Sequence, residues 1–170
     1  MAERSQSDSA LVHLSERLTN SAAFSNLFRE GMDLVEETAA YLDGDGRSEA
    51  KALERAVSLT YATESMRLTT RLMQLASWLL LHRAVKEGEM TLTQANREKT
   101  KVKLSAAEPG PEEMLEKLPQ QLQELIARSM ALQSKVRRLD TTIHAPPAPR
   151  AAIGNPLVPQ LNRLKAAFEQ

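Results

Sequence analysis

The segment from Lys51 to Lys86 contains neither glycine nor proline, and this restricts the possible folds more than any other feature of the chain. Its apolar residues recur at steps of three and four, which is the period of an α-helix and not of a strand. With Ser48 as the N-cap and Gly88 as the stop, the sequence predicts one helix from Glu49 to Lys86. At 1.5 Å per residue this helix is roughly 57 Å long, so more than one partner is needed to cover it.

Two other segments are predicted to pack against this central helix. The first runs from Ser21 to Leu42, spans roughly 33 Å and is broken by the run from Asp43 to Arg47. The second follows Pro111 and becomes firm only after Pro119; its core positions alternate steps of three and four over four heptads, as in helical bundles. These positions are Leu115, Leu118, Leu122, Leu125, Ser129, Leu132, Val136, Leu139 and Ile143.

A short extra helix is predicted from Thr91 towards Leu104, because Thr91 and Gln94 have the spacing of a capping box. The sequence therefore predicts an all-α fold: a three-helix bundle with one long central helix, a short extra helix and a flexible, proline-rich C-terminal tail. We assign residues 1–20 to a mobile N-terminal segment, 21–143 to the bundle and 144–170 to the tail.

The tail contains five of the eight prolines in the chain, which forbid a continuous helix. After Pro149, four apolar residues recur at steps of four, three and four. A segment this short does not hold a helix alone in water, so we expect it either to fold on a partner protein or to dock on its own bundle. The four tail contact residues are Leu157, Leu161, Leu164 and Phe168.

Composition excludes several classes of protein. The chain has 22 basic and 22 acidic residues, which argues against a general nucleic-acid binder, and its lack of cysteine rules out disulfides and thiolate metal sites. No apolar run reaches the ~18 residues of a membrane span, so we expect a soluble cytoplasmic protein. His13, His82 and His144 lie in different segments, so we predict no metal site, no cofactor and no catalytic residues.

The central helix has two apolar faces. The first is the predicted core face. The second lies nearly opposite and consists of small and flexible side chains, which implies that it is covered by the segment 91–104 or by a second copy of the chain. The core face comprises Val57, Tyr61, Leu68, Leu72, Leu75 and Leu79. The dimer candidates are Met66, Thr70, Met73, Ser77, Leu80 and Ala84.

Between these faces lie Glu64, Arg67, Arg71 and Trp78. One interpretation is a partner-binding patch, since arginine and tryptophan are enriched among residues that carry binding energy at interfaces. Another is a solvated charged flank, with Trp78 closing the edge of the core. As an alternative function, Arg67 and Arg71 would bind an anionic substrate in a small, mutase-like helical enzyme.

Four stretches resemble the alphaproteobacterial regulator of CtrA degradation (RcdA) family: Glu36 to Gly44, Tyr61 to Leu81, Arg83 to Val85 and Gly88 to Thr91. The resemblance is close over residues 21–104. It implies a homodimeric, non-enzymatic adaptor that promotes proteolysis of cell-cycle regulators by the ClpXP protease. The implied partners are ClpXP, a priming response regulator, a cyclic-di-GMP-binding adaptor and the substrate proteins, and the implied location is the cytoplasm, at the cell pole.

Overall fold

The computed structural model describes residues 21–99, 101 and 110–144, in which the helices are α1 to α6 in chain order. Their bounds are α1 Ala22–Asp43, α2 Asp45–Lys51, α3 Arg55–Lys86, α4 Leu92–Lys99, α5 Glu112–Leu115 and α6 Gln120–Ile143. No strand occurs in these residues, so the predicted all-α class is confirmed. The segment 1–20 and the four tail contact residues lie outside the described ranges. None of the described helices is long and apolar enough to cross a lipid bilayer.

The long helices α1, α3 and α6 form the bundle, and their directions follow from side-chain contacts. Glu30 and Glu37 of α1 pair with Lys135 and Arg128 of α6 in reverse order, so these two helices are antiparallel. Hydrogen bonds join successive positions of α3 to successive positions of α6 in the same order, so α3 and α6 run parallel. The C-terminal ends of α3 and α6 therefore lie at the same end of the bundle.

The burial of side chains confirms the predicted core face of α3 and the predicted heptad seam of α6. Every residue of the predicted core face of α3 is buried. In α6 the seam residues from Leu122 to Val136 and Ile143 are also buried, while Leu139 is partly buried. Each fully buried large apolar side chain contributes about 1.5 to 3 kcal/mol, so these contacts hold the three helices together.

Gly31 lies in the middle of α1 and faces both α3 and α6. A β-carbon at this position would clash with the Cδ1 atom of Leu79 and would lie 3.6 Å from the Cδ2 atom of Leu132. The glycine thus allows the three helices to approach one another at one level of the bundle. It is a packing residue and not a helix terminus.

The predicted start of the central helix is wrong. Ser48 is not its N-cap but lies within α2, and the chain breaks at residues 52–54 before α3 begins with Glu54 as the N-cap. Since α1 and α3 are antiparallel, Gly44 and this second break together reverse the chain direction. The break also brings Leu53 against the core. Tertiary packing here overrides the helix-forming tendency of a segment without glycine or proline.

The other predicted helix ends that fall within the described residues are confirmed. The Ser21 hydroxyl accepts a hydrogen bond from the Phe24 N–H at 3.3 Å, and Gly88 adopts the left-handed φ of 76° after α3. Thr91 and Gln94 form the reciprocal bonds of a capping box before α4. Pro119 is the N-cap of α6. The predicted extension of the extra helix to Leu104 lies outside the described residues.

Candidate functional site

The second apolar face of α3 is exposed to solvent. Four large apolar side chains recur at every seventh residue and are more than half exposed: Leu59 (71%), Met66 (72%), Met73 (66%) and Leu80 (52%). A small residue follows each of them by four positions: Thr63, Thr70, Ser77 and Ala84. We call these eight residues the exposed seam. It has the same steps of three and four as the buried seam of α6, which is the pattern of a helix that packs lengthwise against another helix.

Two polar residues of the exposed seam, Thr63 and Ser77, are suited to burial against a partner. The hydroxyl of Thr63 donates to the carbonyl of Leu59 at 3.0 Å, and the hydroxyl of Ser77 donates to the carbonyl of Met73 at 2.8 Å. A buried hydroxyl without a hydrogen bond costs free energy, and these two bonds stay within the helix. A partner helix can therefore cover both residues without leaving either donor unsatisfied.

A groove between α1 and α3 borders the exposed seam at Met73. It encloses about 170 Å³ and its walls are almost entirely apolar. The residues lining it are Val35, Thr38, Ala39, Leu42, Thr69, Leu72, Met73 and Ala76. Such a groove provides space into which a side chain of a partner helix can insert.

Helix α4 lies beside only one end of the exposed seam. A shallow depression there is lined by Leu80 and Ala84 on α3 and by Glu98 and Lys101 at the end of α4. Met66 and Met73 remain exposed in the described residues. The hypothesis that segment 91–104 covers the whole face is therefore wrong for its described part, residues 91–99 and 101.

The predicted flank does not form one exposed patch. Three of its members are buried: Glu64 is 3% exposed, Arg71 6% and Trp78 1%. Only the Arg67 side chain, which is 37% exposed, reaches the surface. Arg67 donates to the Glu64 carboxylate at 2.7 Å. The flank is thus not a solvated charged surface either, because three of its four members contribute to the interior.

Arg71 explains why a serine occupies the seam of α6. Its guanidinium donates to the Ser129 hydroxyl at 2.8 Å, and that hydroxyl donates in turn to the carbonyl of Ile126 at 2.7 Å. Burial lowers the pKa of Arg71, and the nearby Glu64 carboxylate opposes this effect. Since Arg71 points into the bundle while Arg67 is partly exposed, the two arginines do not form the open anion site that the enzyme alternative requires.

Trp78 closes the edge of the core, as one of the two interpretations predicts. Its indole N–H donates to Oδ1 of Asp140 at 2.8 Å, and its ring stacks on the His82 imidazole with centroids 3.9 Å apart. Partner binding through Trp78 would require its removal from the core. Of the four predicted partner-binding residues, Arg67 is the one that a partner reaches in this structure.

Asp140, His82 and His144 converge where α3 and α6 end. Nε2 of His82 lies 3.1 Å from Nε2 of His144, which lies 3.6 Å from Oδ1 of Asp140. Lys99 from α4 pairs with Oδ2 of Asp140 at 2.6 Å. The parallel arrangement of α3 and α6 thus brings together two histidines that are 62 residues apart in the sequence.

Burial affects the protonation of both histidines in this cluster. It lowers the pKa of His82 to about 4, and the hydrogen bond to the carbonyl of Trp78 opposes the shift. Burial also lowers the pKa of His144, assisted by the Lys99 ammonium and opposed by Asp140. Both imidazoles are thus neutral at pH 7, which leaves each ring with one nitrogen lone pair.

The sequence contained a signal for part of this cluster. Asp140 and His144 are four residues apart, so they lie on the same face at the end of a helix. Assigning His144 to the tail hid this relation, because His144 is the C-cap of α6. His82 had no such signal, since only the helix directions bring it close.

Comparison with known proteins places the chain beside one protein family and one solved structure. The profile of the family described as "Protein of unknown function (DUF1465)" matches residues 15–168. The crystal structure of RcdA from Caulobacter crescentus CB15 shares 49% sequence identity, covers 75% of this chain and 96% of its own, and superposes with a TM-score of 0.63. No curated protein sequence matches the chain significantly.

Proposed function

Because the chain belongs to the DUF1465 family and is similar in sequence and structure to RcdA, we propose that it is a non-enzymatic adaptor in regulated proteolysis. The observation that carries this proposal is the 49% identity with RcdA over nearly the whole of that chain. The protease, the substrates, the partners and the location are proposed from the resemblance to the RcdA family. The adaptor promotes degradation of cell-cycle regulators by ClpXP, and it acts at the cell pole with a priming response regulator and a cyclic-di-GMP-binding adaptor.

The exposed seam is our proposed homodimer interface. From Leu59 to Leu80 it extends for about 30 Å, which is long enough for a continuous contact between two helices. Small side chains alternate with methionine and leucine, so the backbones can approach closely and the flexible methionines can fill the gaps. A second copy offers the same pattern, as a two-fold interface requires.

Two further contacts belong to the proposal. Arg67 lies next to Met66 at the border of the exposed seam, and its exposed part offers a cation to a partner carboxylate. The tail residues Leu157, Leu161, Leu164 and Phe168 supply a second, apolar contact to a partner protein. A tethered second contact raises the effective concentration of the cargo at the protease.

Reconstituted degradation tests the adaptor role. Purified ClpXP, the priming response regulator, the cyclic-di-GMP-binding adaptor and a candidate substrate are combined with the full chain or with a chain ending at His144. We expect the full chain to accelerate substrate loss and the shortened chain to be at least several-fold less effective. No acceleration by the folded full chain would refute the adaptor role, whereas equal acceleration by both chains would refute only the tail contact.

Sedimentation equilibrium tests the proposed interface. The double variant Met66→Asp with Met73→Asp places four carboxylates in a dimer interface, and we expect it to weaken dimerisation at least 100-fold. The matched control is Ala127→Asp with Ala131→Asp, which adds the same charges at exposed positions of α6. Equal dissociation constants for the two variants would refute the interface.

A further inference from the structure

We propose that His82, Asp140 and His144 bind a first-row divalent transition-metal ion such as Zn²⁺, which fastens the end of α6 to α3. One ligand atom from each residue lies within 4.8 Å of the other two. In a tetrahedral zinc site with bonds of about 2.0 Å, neighbouring ligand atoms are about 3.3 Å apart. The separations of 3.1 Å and 3.6 Å bracket this value, and the third pair of ligand atoms lies within 4.8 Å, so a metal ion would need to draw the side chains together.

The hydrogen bonds around the cluster orient the ligands for a metal ion. Nδ1 of His82 lies 2.9 Å from the carbonyl of Trp78, which can only accept, so Nδ1 carries the proton and Nε2 has the free lone pair. A histidine that donates its second N–H to a carbonyl is the usual arrangement around a protein-bound metal. His82 is 0% exposed, and this bond fixes its ring.

Asp140 is held in the same way. Its Oδ1 accepts from the Trp78 indole and its Oδ2 pairs with Lys99, while a lone pair on Oδ1 remains for a metal ion. Metal-binding carboxylates are themselves usually hydrogen-bonded, and these two contacts meet that condition. The carboxylate would bind through one oxygen while Lys99 keeps the other.

His144 must change its tautomer when the ion binds. In the metal-free chain, its Nε2–H donates to Nε2 of His82, because the latter can only accept. In the bound state the proton lies on Nδ1 of His144, and both Nε2 lone pairs point at the ion. The proton moves from Nε2 to Nδ1 of the same ring, so the net charge of the ring is unchanged.

The surroundings favour a transition-metal cation in particular. The negative ends of the dipoles of α3 and α6 meet here, and they partly offset the positive charge of Lys99. Two imidazoles and one carboxylate suit zinc, cobalt or copper better than calcium or magnesium, which prefer oxygen ligands alone. His144 and Asp140 are 12% and 16% exposed, which provides an entry path and room for water as the fourth ligand.

Trp78 provides an internal probe for this site. It is the only tryptophan in the chain and stacks on His82, so a paramagnetic ion bound by His82 should quench its fluorescence. The experiment uses the full chain without an affinity tag, first stripped of metal with a chelator. We expect saturable quenching by Co²⁺ at one ion per chain, reversal by EDTA and competition by Zn²⁺.

Conservative variants identify the ligands. His144→Gln keeps a donor towards His82, and Asp140→Asn keeps an acceptor for the Trp78 indole, but each loses a metal ligand. We expect each to weaken Co²⁺ binding at least tenfold, whereas the control His13→Gln leaves it unchanged. Unchanged affinity in both ligand variants, or absence of quenching in the wild-type chain at millimolar Co²⁺, would refute the site.

Two measurements on the wild-type chain keep the test decisive if a variant misfolds. Saturating Zn²⁺ should raise Tm by about 5 °C or more, because the ion binds the folded state alone. It should also shift the imidazole ¹⁵N resonances of His82 and His144 and leave those of His13 in place. A shift at His13 alone would overturn the proposal. This inference does not depend on the adaptor function, so either can fail without the other.

Discussion

The seam of α6 and the exposed seam of α3 have the same heptad spacing but opposite environments. The α6 seam consists mainly of leucine, valine and isoleucine and is buried within its own chain. The exposed seam combines methionine and leucine with threonine, serine and alanine, and its large side chains are more than half exposed. Heptad spacing therefore identifies a face that pairs with a helix, while the side chains distinguish a permanent core from a surface available to a partner.

The largest effect is expected from truncating a buried leucine of α3. Leu68→Ala should lower the free energy of unfolding by about 3 kcal/mol, because Leu68 is 0% exposed and its removal leaves a cavity. Urea denaturation measures the loss at a concentration where the chain is monomeric. A loss below about 1 kcal/mol would show that the buried face of α3 contributes less to the core than its burial indicates.

A smaller effect is expected from the serine in the α6 seam. Ser129→Ala should lower the free energy of unfolding by about 2 kcal/mol, because it leaves the buried Arg71 guanidinium without its hydroxyl acceptor. The matched change Ser77→Ala, in the exposed seam, should cost no more than about 0.5 kcal/mol because its hydroxyl bonds only within α3. Equal losses in urea denaturation would contradict the distinction between the two seams.

The smallest effect is expected from truncating a leucine in the exposed seam. Leu59→Ala makes the same chemical change as Leu68→Ala on the same helix, but Leu59 is 71% exposed. The free energy of unfolding of the monomer should change by no more than about 0.5 kcal/mol. The variant should nevertheless weaken dimerisation in sedimentation equilibrium. A loss of monomer stability near that of Leu68→Ala would mean that Leu59 is covered within its own chain.

Much of the bundle could be predicted because helical periodicity is a local property of the sequence. The α6 seam, the core face of α3, the start of α1 near Ser21 and the stop at Gly88 all follow from spacing and residue type. The break at residues 52–54 could not be predicted in this way. It depends on the reversal of the chain between α1 and α3, and no glycine or proline marks it.

The candidate site was harder to predict because periodicity gives faces and not contacts. A helical wheel places Glu64, Arg71 and Trp78 on a flank, but the parallel neighbour α6 buries that flank and supplies Ser129 and Asp140 as partners. Helix direction depends on the connections between helices, which the sequence pattern does not specify. The cluster of His82 with His144 has the same origin.

The exposed thioethers of Met66 and Met73 have a chemical consequence for the exposed seam. Oxidants reach methionine sulfur when it is exposed, and they convert it to a polar sulfoxide that methionine sulfoxide reductases can reverse. Sulfoxides at these two positions would replace the apolar centre of the seam with strong dipoles. A partner helix that covers the sulfur atoms would also shield them, so the associated form would resist oxidative damage better than the isolated chain.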